Sequence, residues 1–257
     1  MTRLPNRCRV RMLLWLSLAL LAAAPAGAAN LDVMPKTVCI GAGYDGAVLK
    51  ISGTVPAASD VVLRFSGSPA DLHLRQKEKV FGLLWMNRSM VTFKNIPGVC
   101  LVQSSRLLGE MGPAAAAYGL ETWSAGVKFE NDHPDAAIDG PRELLRLKMQ
   151  EGLFRETIGG ITFSPPSADG AQAFSADFPV PAALSPGNYR LEAIAFKDGA
   201  MCTRLSVPVR AELTGLPAWL SSLAHAHGAI YGVLATAIAL VAGLFIGMIF
   251  QGRSGAH

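Results

Sequence analysis

Residues 185–213 read SPGNYRLEAIAFKDGAMCTRLSVPVRAEL, and this stretch decides the fold. Polar and apolar residues alternate from Tyr189 onward and again after Cys202, which is the pattern of two half-buried β-strands. Between the two runs, Asp198-Gly199 is a strong signal for a two-residue hairpin turn. The stretch therefore predicts an antiparallel β-hairpin.

Strand-like alternation recurs along the chain before this hairpin. It occurs in residues 48–55, 61–67, 72–80, 90–96, 99–105, 160–165 and 172–180, and glycine or proline turns separate these segments. Many short strands with such turns are typical of packed antiparallel sheets. We expect a mainly β fold, an immunoglobulin-like antiparallel β-sandwich, built either as one split sandwich or as two small ones.

Tyr189 supports the immunoglobulin-like version. It follows the turn Pro186-Gly187 at the start of a strand, where a tyrosine corner ties a loop of a sandwich to its strand. Position 191 is Leu, although immunoglobulin domains often carry a Cys two residues after this tyrosine. A half-buried strand tyrosine without that role fits the pattern equally well.

One segment between the strands is helical. In DGPRELLRLKMQEG, residues 139–152, Asp139 or Gly140 serves as the N-cap, a proline lies in the first turn, and Gly152 ends the helix. Leu144, Leu145 and Leu147 form an apolar stripe that we expect to face a sheet. The helix belongs to a predicted helical and loop insertion, residues 110–152, between an N-terminal β region at 29–109 and a C-terminal β region at 153–213.

The first 28 residues have the layout of a secretory signal peptide. Four arginines precede an apolar run and small residues suited to cleavage after Ala28 or Ala29. Four of the 23 basic residues and none of the 19 acidic residues lie in this segment, so the remaining chain carries 19 of each. Such a balanced charge gives no support for a basic nucleic-acid-binding surface, and we expect no nucleic-acid partner.

Residues 228–250, GAIYGVLATAIALVAGLFIGMIF, predict one transmembrane helix. A helix of 23 residues spans roughly 34 Å, enough to cross a hydrocarbon layer of about 30 Å. Residues 214–227 form a juxtamembrane linker with a tryptophan suited to the interface. We expect a bacterial inner-membrane protein with most of its mass in the periplasm and residues 251–257 as a cytoplasmic tail.

Small residues recur along one side of this helix. At helical spacing they form a face that a neighbouring helix could approach closely, as in GxxxG motifs: Gly228, Gly232, Thr236, Ala239, Gly243 and Gly247. The face predicts packing against a polytopic membrane protein or against a second copy of the chain. A plain lipid anchor with small residues is the alternative.

The strand regions hold two further sets of candidate residues. A pocket that gathers Arg64, Arg75, Arg88 and Arg106 could bind an anion by bidentate hydrogen bonds, although four dispersed arginines are usually separate surface residues. Cys39, Cys100 and Cys202 would face an oxidising compartment, which predicts one disulfide and one remaining thiol. Their spacing leaves all three pairings open.

Motifs for catalysis are missing from the sequence. It contains no G-x-S-x-G, H-E-x-x-H or C-x-x-C, and the segment GAGYDG, residues 41–46, precedes a strand rather than the helix that a nucleotide site requires. We therefore expect no enzyme activity, no cofactor and no metal site.

Three patterned stretches resemble a known family. Residues 80–111 (VFGLLWMNRSMVTFKNIPGVCLVQSSRLLGEM), 142–154 (RELLRLKMQEGLF) and 184–199 (LSPGNYRLEAIAFKDG) are similar to the Alph_Pro_TM transmembrane proteins first grouped from alphaproteobacteria, which are exported single-span proteins. The likeness runs from about Gly46 to Phe250. It implies a partner in the membrane, a permease of the sulfite-exporter (TauE/SafE) type.

Two functions from different classes follow. The first is an accessory subunit whose periplasmic β-sandwich and single helix assemble with a membrane transporter. The alternative is a stand-alone periplasmic module that binds a small anion or senses an envelope component. The first depends on the small-residue face of the helix, and the second depends on the arginines.

Overall fold

The computed structural model describes residues 29–80, 83–132 and 139–251, with the backbone alone for residues 78, 80, 85, 88 and 251. The described residues exclude the predicted signal peptide at 1–28, residues 133–138 of the predicted insertion and residues 252–257 of the predicted tail. The strands are β1 (Asn30–Met34), β2 (Thr37–Ile40), β3 (Ala47–Pro56), β4 (Asp60–Gly67), β5 (Pro69–Val80), β6 (Leu84–Pro97), β7 (Cys100–Ser104), β8 (Phe129–Asn131), β9 (Phe154–Ile158), β10 (Ile161–Phe163), β11 (Ala171–Val180), β12 (Gly187–Lys197) and β13 (Ala200–Leu213). The helices are α1 (Pro113–Ala116), α2 (Leu120–Ala125), α3 (Gly140–Gln150), α4 (Leu216–Ala226) and α5 (Gly228–Gln251).

The described strands form three sheets. Sheet A has the order β1-β3-β11-β10, sheet B has the order β2-β13-β12-β4-β7-β9, and sheet C has the order β5-β6-β8. The prediction of a mainly β protein with a C-terminal apolar helix is confirmed. Strand β3 pairs with β11 in sheet A and β4 pairs with β12 in sheet B, so both predicted β regions contribute to both sheets. The structure therefore contains one sandwich of sheets A and B rather than two small ones.

Sheet B differs from the predicted antiparallel arrangement at its two edges. Strand β2 lies parallel to β13, and β9 lies parallel to β7. Parallel neighbours need a long crossover, and β7 and β9 are indeed joined through α1, α2 and α3. Local alternation carries no information on such long-range pairing, and the sequence pattern missed β1, β2, β8 and β9.

The core of the sandwich lies between sheets A and B. Alternate residues of β4 point into it, and Phe65 there stacks on Tyr189 with ring centroids 5.0 Å apart and tilts against Phe178 of sheet A. Burial of such aromatic side chains stabilises the packing of the sheets by roughly 1.5–3 kcal/mol for each ring.

A second core covers the opposite face of sheet B. Val62 and Ile194 point to that face, where sheet C and the three short helices cover them with Phe93, Leu120 and Leu144 among other apolar residues. Sheet B is therefore the middle layer of the molecule. Its strand β12 is buried continuously from Leu191 to Phe196, as expected for a strand covered on both faces.

The predicted hairpin is present. Lys197 pairs with Ala200, and Asp198 (φ 52°) and Gly199 (φ 79°) both adopt the left-handed conformation that a type I′ turn requires. The Tyr189 hydroxyl donates a hydrogen bond to the Ser185 carbonyl oxygen at 2.6 Å, four residues upstream, which is the bond of a tyrosine corner. The immunoglobulin-like assignment agrees with this bond but itself stays a prediction.

Helix α3 begins as the sequence predicts. The Asp139 carboxylate accepts a hydrogen bond from the Arg142 backbone N–H at 3.3 Å, as an N-cap does. Leu144 and Leu145 are buried against sheets B and C. Leu147 is 37% exposed, because it lies at the rim of a cleft beside sheet C, so the predicted apolar stripe is narrower than expected.

Replacing Tyr189 tests the corner bond. Tyr189→Phe removes the hydrogen bond to Ser185 and keeps the stacked ring, so we expect the free energy of unfolding to fall by about 1 kcal/mol. Urea unfolding of the purified protein measures this change. Tyr118→Phe is the matched control, because its hydroxyl reaches only the weak acceptor Met201 Sδ at 3.9 Å. Equal losses in both variants would contradict the corner assignment.

Candidate functional site

Helix α5 is the one helix in the described residues that is long and apolar enough to cross a membrane. Its candidate span, Gly228–Phe250, has a mean hydropathy of 2.6, and none of the span is buried within the protein. The preceding helix α4 exposes Leu216 and Trp219, and a tryptophan on a short apolar helix suits the membrane interface. Within the described residues, α5 is thus the helix whose length and composition suit a lipid bilayer.

The small-residue face of α5 is uncovered. Apart from the adjoining backbone of the helix itself, a Cβ atom built at any of its four glycines would meet no atom within 4 Å: Gly228, Gly232, Gly243 and Gly247. The hydroxyl of Thr236 donates to the Gly232 carbonyl oxygen at 2.8 Å within the same helix. Thr236 therefore needs no partner to satisfy its hydroxyl, and Ala239 adds no polar group, so this face offers shape rather than hydrogen bonds.

The four predicted arginines do not converge. The side chain of Arg88, on β6, lies outside the described residues. Arg106 donates from Nε to Asp60 Oδ1 at 2.8 Å and pairs with the same carboxylate through Nη2. Asp60 is four residues from Arg64 along β4, about 13 Å, and Arg75 lies on β5 in sheet C. The three arginines whose side chains are described, Arg64, Arg75 and Arg106, therefore do not form the expected pocket.

Arg75 lines a different opening. A cleft of about 380 Å³ lies between sheet C and α3, with Phe93, Phe129 and Leu147 on its walls. Glu143 of α3 is the acidic residue in this lining. The cleft is mainly apolar, so a single arginine there does not make an anion pocket.

Arg64 instead joins three arginines that the sequence reasoning missed. A depression of about 520 Å³ on sheet B is lined by Arg64 on β4, Arg190 on β12, and Arg204 and Arg210 on β13. Glu192 is its one carboxylate, and this buried side chain accepts a hydrogen bond from Arg204 Nη2 at 2.6 Å. That bond raises the pKa of Arg204 above its ordinary value. Four arginines and one glutamate give the lining a net charge of +3.

The signal for this cluster was present in the opening stretch. Arg190, Arg204 and Arg210 all occupy even-numbered positions of the two strands of the predicted hairpin. Whether these three arginines share a face depends on the register in which the two strands of the hairpin pair. A register extended from the Asp198-Gly199 turn alone is wrong by one residue. Arg64 comes from a third strand, whose pairing with β12 is not visible in the sequence.

Cys39, Cys100 and Cys202 are free thiols in the structure, so the expected disulfide is not formed. Sheet B explains this difference, because a disulfide requires Cα atoms less than about 7 Å apart. Cys39 is opposite Glu212, ten residues along β13 from Cys202, a separation of roughly 33 Å. Strand β7, which carries Cys100, is three strand spacings from β13, about 14 Å, and is farther from β2.

Cys100 lies at the junction of the second core and the depression. Burial raises the pKa of its thiol above the ordinary value, and the neighbouring Arg64 guanidinium partly opposes that increase. A thiol that is buried and protonated is a poor nucleophile, which makes Cys100 a packing residue.

No cluster of three or more potential metal ligands occurs in the described ranges. His73 shares a hydrogen bond of 2.9 Å between its Nδ1 and Thr92 Oγ1 on the neighbouring strand. His133 lies outside the described residues.

These features define a class: a membrane protein with one candidate spanning helix and a β-sandwich body outside that helix. Residues 29–252 match the profile of the family described as putative transmembrane protein (Alph_Pro_TM). The match covers most of the chain, so the protein belongs to this family, as the resemblance of its strands and helix predicted. None of the curated proteins matches the chain.

Thiol labelling tests the placement of the cysteines. In the native protein at pH 8 we expect a maleimide to modify Cys39 and Cys202, which are exposed, and to leave Cys100 unmodified until denaturant is added. The raised pKa of Cys100 keeps its thiol protonated at this pH. Peptide mass mapping identifies the labelled sites. A peptide pair joined through any two of the three cysteines under non-reducing conditions would contradict the sheet order.

Proposed function

We propose that this protein is an accessory subunit that assembles with a polytopic membrane protein. The observation that carries the proposal is the uncovered small-residue face of α5, which no other part of the described chain approaches. In lipid, helices associate chiefly by close van der Waals packing, for which glycine and alanine faces are suited. A second helix that packs on Gly243 and Gly247 would use that face.

The long hairpin of β5 and β6 supports a contact outside the membrane. Beyond the three residues of β8 that pair with it, the hairpin continues as a two-stranded ribbon. Four apolar residues near its end are exposed to solvent, and a cluster of this kind is unusual on the surface of a free monomer. Their exposed fractions are 85% for Leu83, 65% for Leu84, 53% for Met86 and 41% for Met90. The ribbon would give the partner a second contact surface.

The proposal includes a location and a partner. The sandwich would lie in the periplasm of a bacterial cell, α5 would cross the inner membrane, and the tail would be cytoplasmic. The family resemblance supports a permease of the sulfite-exporter type as the partner. In this proposal the protein has no catalytic role, no cofactor and no nucleic-acid partner, and its contribution is to bind and hold the permease.

Reporter fusions test the proposed topology. We expect alkaline phosphatase fused after residue 226 to be active, because that reporter folds only outside the cytoplasm, and a fusion after residue 257 to be inactive. A green fluorescent reporter at the same two positions should give the reverse pattern. Phosphatase activity from the fusion after residue 257 would exclude the proposed orientation.

Substitution on the helix face tests the assembly. Gly243→Leu/Gly247→Leu places two bulky side chains where the backbones must approach, so the amount of permease that co-purifies in mild detergent should fall by about tenfold, equivalent to ~1.4 kcal/mol. The measurement is quantitative mass spectrometry of affinity-purified protein, normalised to the amount of bait.

The matched control is Ala237→Leu/Val241→Leu. It introduces leucines at the same spacing on the opposite side of α5, which the proposal leaves facing lipid. The control should retain the permease. The assembly proposal fails if both double variants retain it equally, or if crosslinking shows that the small-residue face binds a second copy of this chain.

A further inference from the structure

The depression on sheet B is lined by arginines whose charges are mostly uncompensated. We propose that it binds a tetrahedral oxyanion of the phosphate or sulfate class through Arg64, Arg190 and Arg210. Two sources present the same charged oxygens: an anion free in solution and the phosphate of an anionic lipid headgroup. This site is separate from the helix face and from the assembly proposed above.

The pairing of charges shows which arginines are available. Arg204 is occupied, because it donates to the buried carboxylate of Glu192. Arg64, Arg190 and Arg210 make no ion pair within the part of the chain that the structure describes. The Arg64 guanidinium interacts with the neighbouring Cys100 thiol, a weak acceptor, but its Nε is shielded from solvent and has no hydrogen-bond partner in the structure. A shielded donor without an acceptor is costly, and an anion oxygen would satisfy it.

The register of sheet B brings these three side chains to one face. Arg190 pairs directly with Ser66 on β4 and with Pro208 on β13, so Arg190 lies diagonal to Arg64 on one side and to Arg210 on the other. Diagonal neighbours on adjacent strands are about 7–8 Å apart, within reach of long side chains. Like charges at this spacing repel one another, and a bound anion would remove that repulsion.

The depression also provides neutral donors. Ser66 lies on the same face as Arg64, and Asn188 lies at the rim where β4 ends. The Ser68 hydroxyl at that rim already donates to the Asn188 carbonyl oxygen. An arginine guanidinium binds two oxygens of a phosphate or sulfate in a planar fork. Arg190 at the centre, with an arginine on either side, can therefore surround one tetrahedral anion. The volume of about 520 Å³ leaves room for the anion with ordered water.

The position of the site makes a lipid headgroup a realistic source. Arg210 is six residues before Leu216, the first residue of α4, so the two are at most about 22 Å apart along the chain. Helix α4 leads directly to the membrane-spanning α5. The end of β13 that carries Arg210 is thus the end from which the chain continues toward the candidate membrane span, and lipid phosphates lie at the surface of a bilayer.

The experiment uses the full-length protein in maltoside micelles, which contain no phosphate. In the first arm, isothermal titration calorimetry measures the binding of inorganic phosphate and sulfate at constant ionic strength, with chloride as the reference anion. In the second arm, native mass spectrometry measures retention of added phosphatidylglycerol against phosphatidylcholine, whose choline cation opposes binding to arginines. The first arm detects a free anion and the second detects a headgroup.

The test variant is Arg190→Gln/Arg210→Gln, because both side chains are exposed and lack ion pairs that the fold needs. We expect it to weaken binding of the favoured probe by about tenfold or more, since charge-assisted hydrogen bonds are the strong ones. Arg142→Gln/Arg146→Gln on α3 is the matched control, with the same loss of charge on an exposed helix face. The control should bind as the unaltered protein does.

Each result decides the proposal. Binding of inorganic phosphate, sulfate or phosphatidylglycerol that the test variant loses and the control keeps supports the site and identifies its source. The proposal is overturned if the unaltered protein binds none of the probes, or if test and control variants behave alike. Should the double variant fail to fold, the single variants Arg190→Gln and Arg210→Gln replace it. No permease is present in either arm, so the result is independent of the assembly proposal.

Discussion

The structure depends on the burial of sheet B on both faces. Its central strands β4 and β12 carry apolar residues at consecutive positions, such as Val61, Val62 and Leu63, so neither face can be left to water. Sheet A covers one face. The other face requires a second cover, and the chain between β4 and β9 supplies it as sheet C with helices α1 to α3. The predicted insertion at 110–152 thus supplies part of a structural layer of the fold, and β5 and β6 of the N-terminal β region supply the rest.

A single β-bulge reconciles two sequence signals that conflict. The turn at Asp198-Gly199 pairs Lys197 with Ala200, an odd number with an even number, yet the core-facing residues of both strands are odd-numbered, as with Leu191 and Val207. The register shifts by one residue beside Ala195, where Cys202 is the additional residue. The same shift places the arginines of β12 and β13 on one face, so the bulge determines both the core and the depression.

Local patterns predicted the parts of the fold that local physics determines. The alternation of β3 and β4, the Asp139 cap and the 23-residue apolar span each specify their own element without reference to distant residues. The parallel edges of sheet B and the separation of the cysteines depend on which distant strands become neighbours. Arg64 illustrates the limit: the sequence identified it as a candidate, but its actual companions come from strands more than 120 residues later.

Recognition by the helix and recognition by the sandwich have different physical bases. The face of α5 has no charge, and the hydroxyl of Thr236 is satisfied within the helix, so its contribution to binding comes from close packing. Packing of small residues sets how near a partner helix can come but distinguishes weakly between partners of similar shape. Directional groups lie on the sandwich, where Arg64 and Arg190 present charged donors in the open depression of sheet B. In the proposed assembly, α5 therefore provides proximity within the membrane, and selectivity must come from the surfaces of the sandwich.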